Sequence, residues 1–350
     1  MPLKDLIPSL KIGTAVQPRL LLVHPDYRRI ASSEFNLLIP ENEMKCRWVC
    51  QQPGTYNFTP ADTIVEFAQQ HNQAVRGHVL CWHMGFAPWM KRLTTLELEK
   101  VLKDYIFATV DRYKGKCYAW DVVSEAIDDK ARPRTSIWSA IEGYIPKCFE
   151  WARQADPDAQ LFYLDYRLHT VARWNAIAKM VGELKENGIP IDGVGLQLHH
   201  DLFGVLGITN FRLSSVVQQL KRLGVAVHIS EVSIPIYSPT QQLPDAAKYE
   251  LQANAYGKLM RECLKLGCDS FSVWGFSDAC VYHKPPQRDK NSTPCLFDEE
   301  FQPKPAYWAV ERELAGGVEG AGGAGGAGEA GGAEGAGGAG GAGEAGGASV

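Results

Sequence analysis

No apolar run of 18 residues occurs in this 350-residue chain, so none of it reads as a transmembrane helix. The amino terminus, Met1-Pro2-Leu3-Lys4-Asp5-Leu6-Ile7-Pro8, has one lysine and no apolar stretch before a small-residue cleavage site. It does not read as a signal peptide, and the chain as it stands reads as cytoplasmic. An excess of either charge is also missing. The 36 basic and 40 acidic side chains leave a net −4, which gives no reason to expect nucleic acid or an anionic membrane surface as a partner. No Cys or His falls at a zinc-type spacing, so no structural metal is expected. No GxGxxG follows a strand-like run, which argues against a dinucleotide cofactor. No cofactor of any kind is implied. The nine cysteines are odd in number and scattered, which reads as mostly reduced thiols. Cys263 and Cys268, five apart before an apolar strand, are either two buried thiols or a disulfide.

Against these absences stand a hydrophobic fraction of 45% and an aromatic content of 10% that includes nine Trp. The first suits one sizeable core. The second suits a neutral ligand that stacks on rings, although core packing draws on the same residues. From Gly316 onward the composition collapses to Gly, Ala and Glu, with one block around Glu329 repeated around Glu344. Such a segment buries too little apolar surface to offset its ordering entropy. The expected division is therefore a folded domain over residues 1–315 and a disordered tail over 316–350.

Within the first 315 residues, strand-like and helix-like segments alternate. Strand runs are read at Ile12–Val16, Phe35–Ile39, Ala74–Leu80, Cys117–Val123, Leu161–Tyr166, Gly193–His199, Val225–Val232 and Phe271–Gly275. Helical periodicity is read at Pro60–His71, Thr94–Lys114, Ser136–Gln154, Val171–Asn187, Phe211–Leu223, Glu250–Leu266 and Pro305–Leu314. Gly188, Gly224 and Gly267 mark helix stops. The stretch from Gly13 to Glu34 is less regular, with room for only a short helix. Eight alternations predict parallel strands with right-handed crossovers: an α/β fold of the (β/α)8 TIM-barrel class. A doubly wound open sheet is the alternative.

In such a barrel, chemistry sits at the carboxyl ends of the strands. Polar or aromatic residues at those ends are Glu41, Asn42 and Lys45 after the second strand, and His78, Trp82 and His83 after the third. Ser124 and Glu125 follow the fourth, Asp165 the fifth, and Gln197 and His199 the sixth. Glu231 follows the seventh, and Trp274 and Asp278 the eighth. One strand-end carboxylate is usually just a solvated group; convergence from seven of eight strands is not so readily discounted. Glu125 and Glu231 end Trp120-Asp121-Val122-Val123-Ser124-Glu125 and His228-Ile229-Ser230-Glu231. Read as facing one another across the barrel, they can flank a bound chain. Glycoside cleavage needs such a pair: one carboxyl protonates the leaving oxygen and one carboxylate meets the oxocarbenium-like centre. A separation of roughly 5–5.5 Å gives retention and roughly 6.5–9.5 Å gives inversion.

At these residues the chain resembles glycoside hydrolase family 10, the (β/α)8 endo-β-1,4-xylanases. The resemblance runs through Pro40-Glu41-Asn42-Glu43-Met44-Lys45, Arg76-Gly77-His78-Val79-Leu80-Cys81-Trp82-His83 and Trp120 to Ala126. It continues in Gly195-Leu196-Gln197-Leu198-His199, Ile229-Ser230-Glu231, Val273-Trp274-Gly275 and Pro303-Lys304-Pro305-Ala306-Tyr307. It implies that Glu125 is the acid/base and Glu231 the nucleophile, oriented by His199. It implies that Gln197 and His78 add hydrogen bonds near the reacting sugar, and that Glu41, Asn42 and Lys45 grip hydroxyls one sugar further from the cut. Trp82 and Trp274 would be apolar walls of the site. The partner implied is xylan or xylo-oligosaccharide, the chain is expected to be a monomer, and the family acts outside cells.

The chain departs from the family pattern inside the site. Ser124 replaces the Asn that binds the 2-hydroxyl of the reacting sugar, and Tyr282 stands for a second Trp after the eighth strand. Met84-Gly85 replaces a Gln, Leu164-Asp165-Tyr166-Arg167 an Asn-Asp-Tyr-Asn, and Ser233 the Asp that supports the catalytic His. Three readings follow: a working endo-xylanase, a catalytically weak xylo-oligosaccharide-binding protein, or a glycosidase with shifted sugar preference.

Overall fold

The β-branched runs fold as strands because alternate side chains can be buried on both faces of the sheet. In the computed structural model the strands are β1 (Lys11–Val16), β2 (Leu37–Pro40), β3 (Ala74–Gly77), β4 (Cys81–Trp82), β5 (Cys117–Ser124), β6 (Gln160–Asp165), β7 (Gly193–His199), β8 (Ala226–Ser233) and β9 (Ser270–Val273). The structure describes residues 1–199, 204, 205, 207, 209, 212–236, 243–280 and 293–322. All pairs are parallel, β9 joins β1, and a β3–β5 pairing closes the ring. The eight long strands are the eight expected from sequence. β4 is a two-residue continuation beyond β3 that places Trp82 beside Ser124 at the top of β5. In this ring β6 and β7 separate β5 from β8, so the strands bearing Glu125 and Glu231 are three places apart. That corrects the expectation of strands directly opposed across the barrel.

The helices are α1 (Leu3–Leu6), α2 (Pro18–Val23), α3 (Pro25–Glu34), α4 (Cys46–Val49), α5 (Thr59–Gln70), α6 (Thr95–Arg112), α7 (Tyr144–Ala155), α8 (Val171–Glu186), α9 (Leu213–Arg222), α10 (Asp245–Lys265) and α11 (Pro305–Gly322). Local chemistry sets many of their ends. Thr94 and Glu97 form a reciprocal capping box ahead of α6, which satisfies two otherwise orphaned donors. Gly188 follows α8 at φ +70, a conformation that Cβ-bearing residues adopt only under strain.

Three boundaries differ from the sequence reading. The segment before Glu34 holds two helices, α2 and α3, because Pro18 and Pro25 each start one at its first turn. The helix expected from Ser136 starts only at Tyr144, after a 3-10 turn at Trp138–Ala140 and a left-handed Gly143. The residues released, 136–143, join 126–135 in the loop that follows Glu125. The last helix runs past residue 315 to Gly322, so the boundary drawn at 315/316 falls inside it; the remainder of the expected tail lies outside the described residues. Among the described residues no helix is long and apolar enough to cross a membrane.

Apolar residues of the helices and outward strand faces form one continuous core between ring and barrel. The barrel interior is different. It holds small apolar clusters around Trp274 and Phe162 and, between them, charged groups. Gly77 faces Trp120 so closely that a Cβ there would lie 2.1 Å from the indole. This close approach leaves space for a large ring under the site.

Candidate active site

Glu231 lies in β8, two residues before the register partner of His199. The β7–β8 pairing sets Gln197 beside Glu231 and His199 beside Ser233. Gln197 Nε2 donates to Glu231 Oε1 at 2.8 Å, and His199 Nε2 meets Oε2 at 2.9 Å. His78 Nδ1 stands 4.0 Å from Oε1. Burial alone would raise the Glu231 carboxyl. The His199 hydrogen bond, the two neighbouring imidazoles and the Gln197 amide outweigh it and hold it at about 2, the behaviour of a carboxylate whose charged form is well solvated by fixed donors.

Ser233, where the family pattern has Asp, meets His199 Nδ1 at 2.8 Å. A hydroxyl both donates and accepts. It therefore accepts from protonated His199 and donates to the neutral tautomer that keeps Nε2–H on Glu231. The departure is compensated locally.

Glu125 follows β5 directly and sits at φ +59. Three contacts hold this left-handed turn. Its own N–H donates to Leu164 O at 2.9 Å. The Ala126 N–H donates to the Tyr163 hydroxyl at 3.0 Å. Arg134, from the loop that follows Glu125, donates to Glu125 O at 2.6 Å. Burial pushes the Glu125 carboxyl up to about 7, helped by the negative charges of Asp165 and Glu231 and opposed by the Trp82 indole and Arg134. His83 Nδ1 lies 3.5 Å from Oε2. Burial, with Arg134 and Arg173 nearby, lowers that imidazole to about 4, so beside Glu125 it stays neutral at ordinary pH. Two strand-end carboxyls at one mouth are thus driven in opposite directions, one protonated and one ionised near pH 6.

The second-strand group is also assembled. Glu41 is buried, with Oε2 accepting from Gln17 Nε2 at 3.0 Å and Oε1 left without a partner among the described residues. Burial raises it to about 7. Lys45 Nζ donates to Asn42 Oδ1 at 3.1 Å and lies 5.0 Å from the Trp82 ring centre and 5.9 Å from that of Trp274. The two indoles therefore flank one cavity, with Lys45 between them. Burial lowers the Lys45 ammonium, while Glu231, Glu41, Glu43 and Glu125 act to keep it charged. His78 stands edge-on to Trp274 at 5.0 Å.

Not every strand-end residue faces the mouth. Asp165 is fully buried and bound by the Tyr163 hydroxyl, the Arg173 guanidinium and the Tyr166 N–H. Asp278 is bound to Lys304 Nζ at 2.8 Å and to the Cys295 N–H at 2.8 Å. Both are anchors for the loops rather than groups presented to a ligand. Gln197 gives its amide nitrogen to Glu231 and leaves Oε1 without a partner among the described residues. His78 commits Nδ1 to Asp121 Oδ2 at 2.8 Å. Ser124 is buried with its hydroxyl unpartnered among the described residues. Tyr282 lies outside the described residues. All nine thiols are free, Cys263 and Cys268 included. Among the described residues no cluster of acidic, His and Cys side chains is arranged to hold a metal.

The sequence reading missed a buried support beneath the mouth. Arg76 Nε donates to Asp121 Oδ1 at 2.7 Å, and its NH1 meets His228 Nδ1 at 2.7 Å. Burial and the Arg76 charge keep His228 neutral, so Nδ1 accepts. Asp121 thereby bridges Arg76 to His78 and fixes that ring. The signal was present as charged residues at inward positions of β3 and β5, inside motifs read only for their ends.

The sequence model of glycosyl hydrolase family 10 matches residues 3–313. A β-1,4-xylanase of Dictyoglomus thermophilum is 36% identical over 324 residues, covering 87% of this chain and 90% of that one. Endo-1,4-beta-xylanase B of Thermotoga neapolitana is 35% identical over 297 residues, with 82% and 83% covered. The solved structure of xylanase 10B from Thermotoga petrophila in complex with xylobiose superposes with a TM-score of 0.84 at 33% identity, covering 91% of this chain and 98% of that one. Sequence, barrel and the paired carboxyls agree: the chain belongs to glycosyl hydrolase family 10.

Proposed function

We propose that this protein is a retaining endo-1,4-β-xylanase with Glu125 as general acid/base and Glu231 as nucleophile. The observation that carries the assignment of roles is the opposed ionisation of the two carboxyls, about 7 for Glu125 and about 2 for Glu231. A nucleophile must be ionised and an acid must hold its proton at the same pH. The xylan or xylo-oligosaccharide substrate rests on the family and on the relatives' activities.

With a chain bound, Glu231 attacks the anomeric carbon while Glu125 protonates the departing oxygen. His199 and Gln197 fix both oxygens of the attacking group, so little reorganisation is needed. Once Glu231 is esterified its charge is gone, and with it one of the causes that raise Glu125. Glu125 then remains ionised and takes a proton from water as that water attacks the glycosyl ester. Trp82 and Trp274 give the sugar's C–H faces apolar walls, and Glu41, Asn42 and Lys45 bind hydroxyls of the next residue. Ser124, short and unpartnered, favours a site in which the 2-hydroxyl contact is weakened and turnover is slower than the family's machinery allows.

The test is NMR observation of the first product anomer on xylan, with Glu125→Gln and Glu231→Gln in parallel. The β-anomer should appear first, and each variant should lose activity by orders of magnitude. An α-anomer first, or a Glu231→Gln enzyme as fast as wild type, defeats the assignment. A panel of xylan, mixed-linkage β-glucan and aryl glycosides fixes the sugar preference.

A further inference from the structure

The peptide group joining Glu125 to Ala126 is held at both of its polar atoms. On the oxygen side, Arg134 Nε donates to Glu125 O at 2.6 Å. Arg134 NH2 donates to the Tyr166 hydroxyl at 2.9 Å, and that hydroxyl donates to Asp129 Oδ1 at 3.1 Å. On the nitrogen side, the Ala126 N–H donates to the Tyr163 hydroxyl at 3.0 Å. That hydroxyl donates to Asp165, which also accepts from Arg173 NH2. The two chains meet at one carboxylate. Arg173 NH1 donates to the same Asp129 Oδ1 at 3.1 Å, so the hydrogen bonds run in a closed circuit from the C=O to the N–H of a single peptide group.

Burial divides this circuit in two. Tyr163, Asp165 and Arg173 are fully buried and fixed by packing. The Asp129 side chain is 48% exposed, in a turn outside any helix or strand, so it is the link that only its polar partners hold. A second cation supplies that hold: Arg167 NH1 lies 3.0 Å from Asp129 Oδ2. Arg167 stands at φ +59, a left-handed position that Asn adopts more readily than Arg, and where the family pattern has Asn. What the arginine adds there is its charge on Asp129. Arg173, Arg167 and Arg134 all pack around the Tyr166 ring, at 4.1, 5.8 and 6.0 Å from its centre, which fixes the hydroxyl between Arg134 and Asp129.

We propose that Asp129 is a positioning residue for Glu125, acting through Tyr166 and Arg134. Glu125 itself sits at φ +59, a conformation that persists only where its surroundings enforce it. Opening the circuit at Asp129 frees Tyr166 and Arg134, and the peptide then turns about its restraint at Ala126 alone. The Glu125 carboxyl is carried away from the Trp82 indole that donates to it and from His83 at 3.5 Å. A misplaced acid slows only the departure of a leaving group that needs its proton. The inference rests on the proposed function for the role of Glu125, but the clamp itself can be read without catalysis.

The experiment compares kcat/KM on a linear xylo-oligosaccharide, whose alkoxide must be protonated to leave, and on a dinitrophenyl β-xylobioside, whose phenolate leaves unaided. Asp129→Ala should lower the first about tenfold, the scale of one hydrogen bond to a charged group. It should leave the second within about twofold of wild type. Asp129→Asn keeps an oxygen that accepts from Tyr166 and should restore most of the lost rate. Tyr166→Phe opens the circuit at its next link without removing a charge, and should show the same split between substrates. An Asp129→Ala enzyme as fast as wild type on the oligosaccharide, an equal loss on both substrates, or an Asn variant no better than Ala overturns the proposal. If wild type cleaves neither substrate, the proposed function fails. Hydrogen–deuterium exchange over residues 125–135 then still decides the clamp: faster exchange in Asp129→Ala supports it, and an unchanged rate overturns it.

Discussion

Removing the His199 imidazole should move the acid limb of the pH–rate profile and leave the alkaline limb in place. In the proposed mechanism Glu231 reacts ionised, so kcat/KM rises with pH through its pKa, about 2. As the proposed acid, Glu125 must begin protonated, so kcat/KM falls as pH rises through about 7. In His199→Ala the 2.9 Å contact to Glu231 Oε2 is lost, while Gln197 and the more distant His78 remain. A hydrogen bond to a charged group contributes about 1.5–3 kcal/mol, and one pKa unit is about 1.4 kcal/mol. The acid limb should therefore rise by roughly one to two units, and the plateau of kcat/KM should fall about 10- to 100-fold through lost orientation. The assay is initial rate on an aryl β-xyloside across pH, with circular dichroism at each pH to separate unfolding from titration. An acid limb that does not move refutes the claim that His199 holds the nucleophile ionised. An alkaline limb that moves equally far means that the two carboxyls are not separately tuned.

Restoring Asn at Ser124 should raise kcat on xylan by about tenfold, since one hydrogen bond strengthened in the transition state is of that order; an unchanged rate would show that a neighbour already supplies the contact. Tyr163→Phe removes the hydroxyl that receives the Ala126 N–H and binds Asp165. It should lower kcat more than it changes KM, because the turn carrying Glu125 loosens, and an effect on KM alone would contradict that account. Lys304→Met strands the buried Asp278 carboxylate and should cost about 3–5 kcal/mol, lowering Tm by about 5–10 °C on a calorimetric scan. A Tm within a degree of wild type would show that the pair is not the loop's anchor.

The supporting groups were harder to read than the reacting ones for a definite reason. Glu125 and Glu231 end strand-like runs, and a strand end in a barrel faces the mouth whatever the sequence around it. Asp165 ends a strand in the same way and Asp278 follows one by a short turn, yet each is consumed by a cation from an element far along the chain or across a turn, Arg173 and Lys304. Likewise Ser233 looked like a loss at the position supporting His199, until the β7–β8 register placed its hydroxyl 2.8 Å from the ring.

By itself the sequence determined the eight strands and most of the helices, since burial on both strand faces and Pro, Thr and Gly at helix ends are local properties. It also determined which residues stand at the carboxyl end of each strand. Only the closed barrel decided which of those groups meet, how far each is buried and what charge each carries. Those quantities depend on partners brought together from β3, β5, β7 and β8 across more than 150 residues of chain, as in the Arg76–His228 contact with a separation of 152. No local pattern carries that information, because a pKa is set by solvent excluded and dipoles supplied in three dimensions.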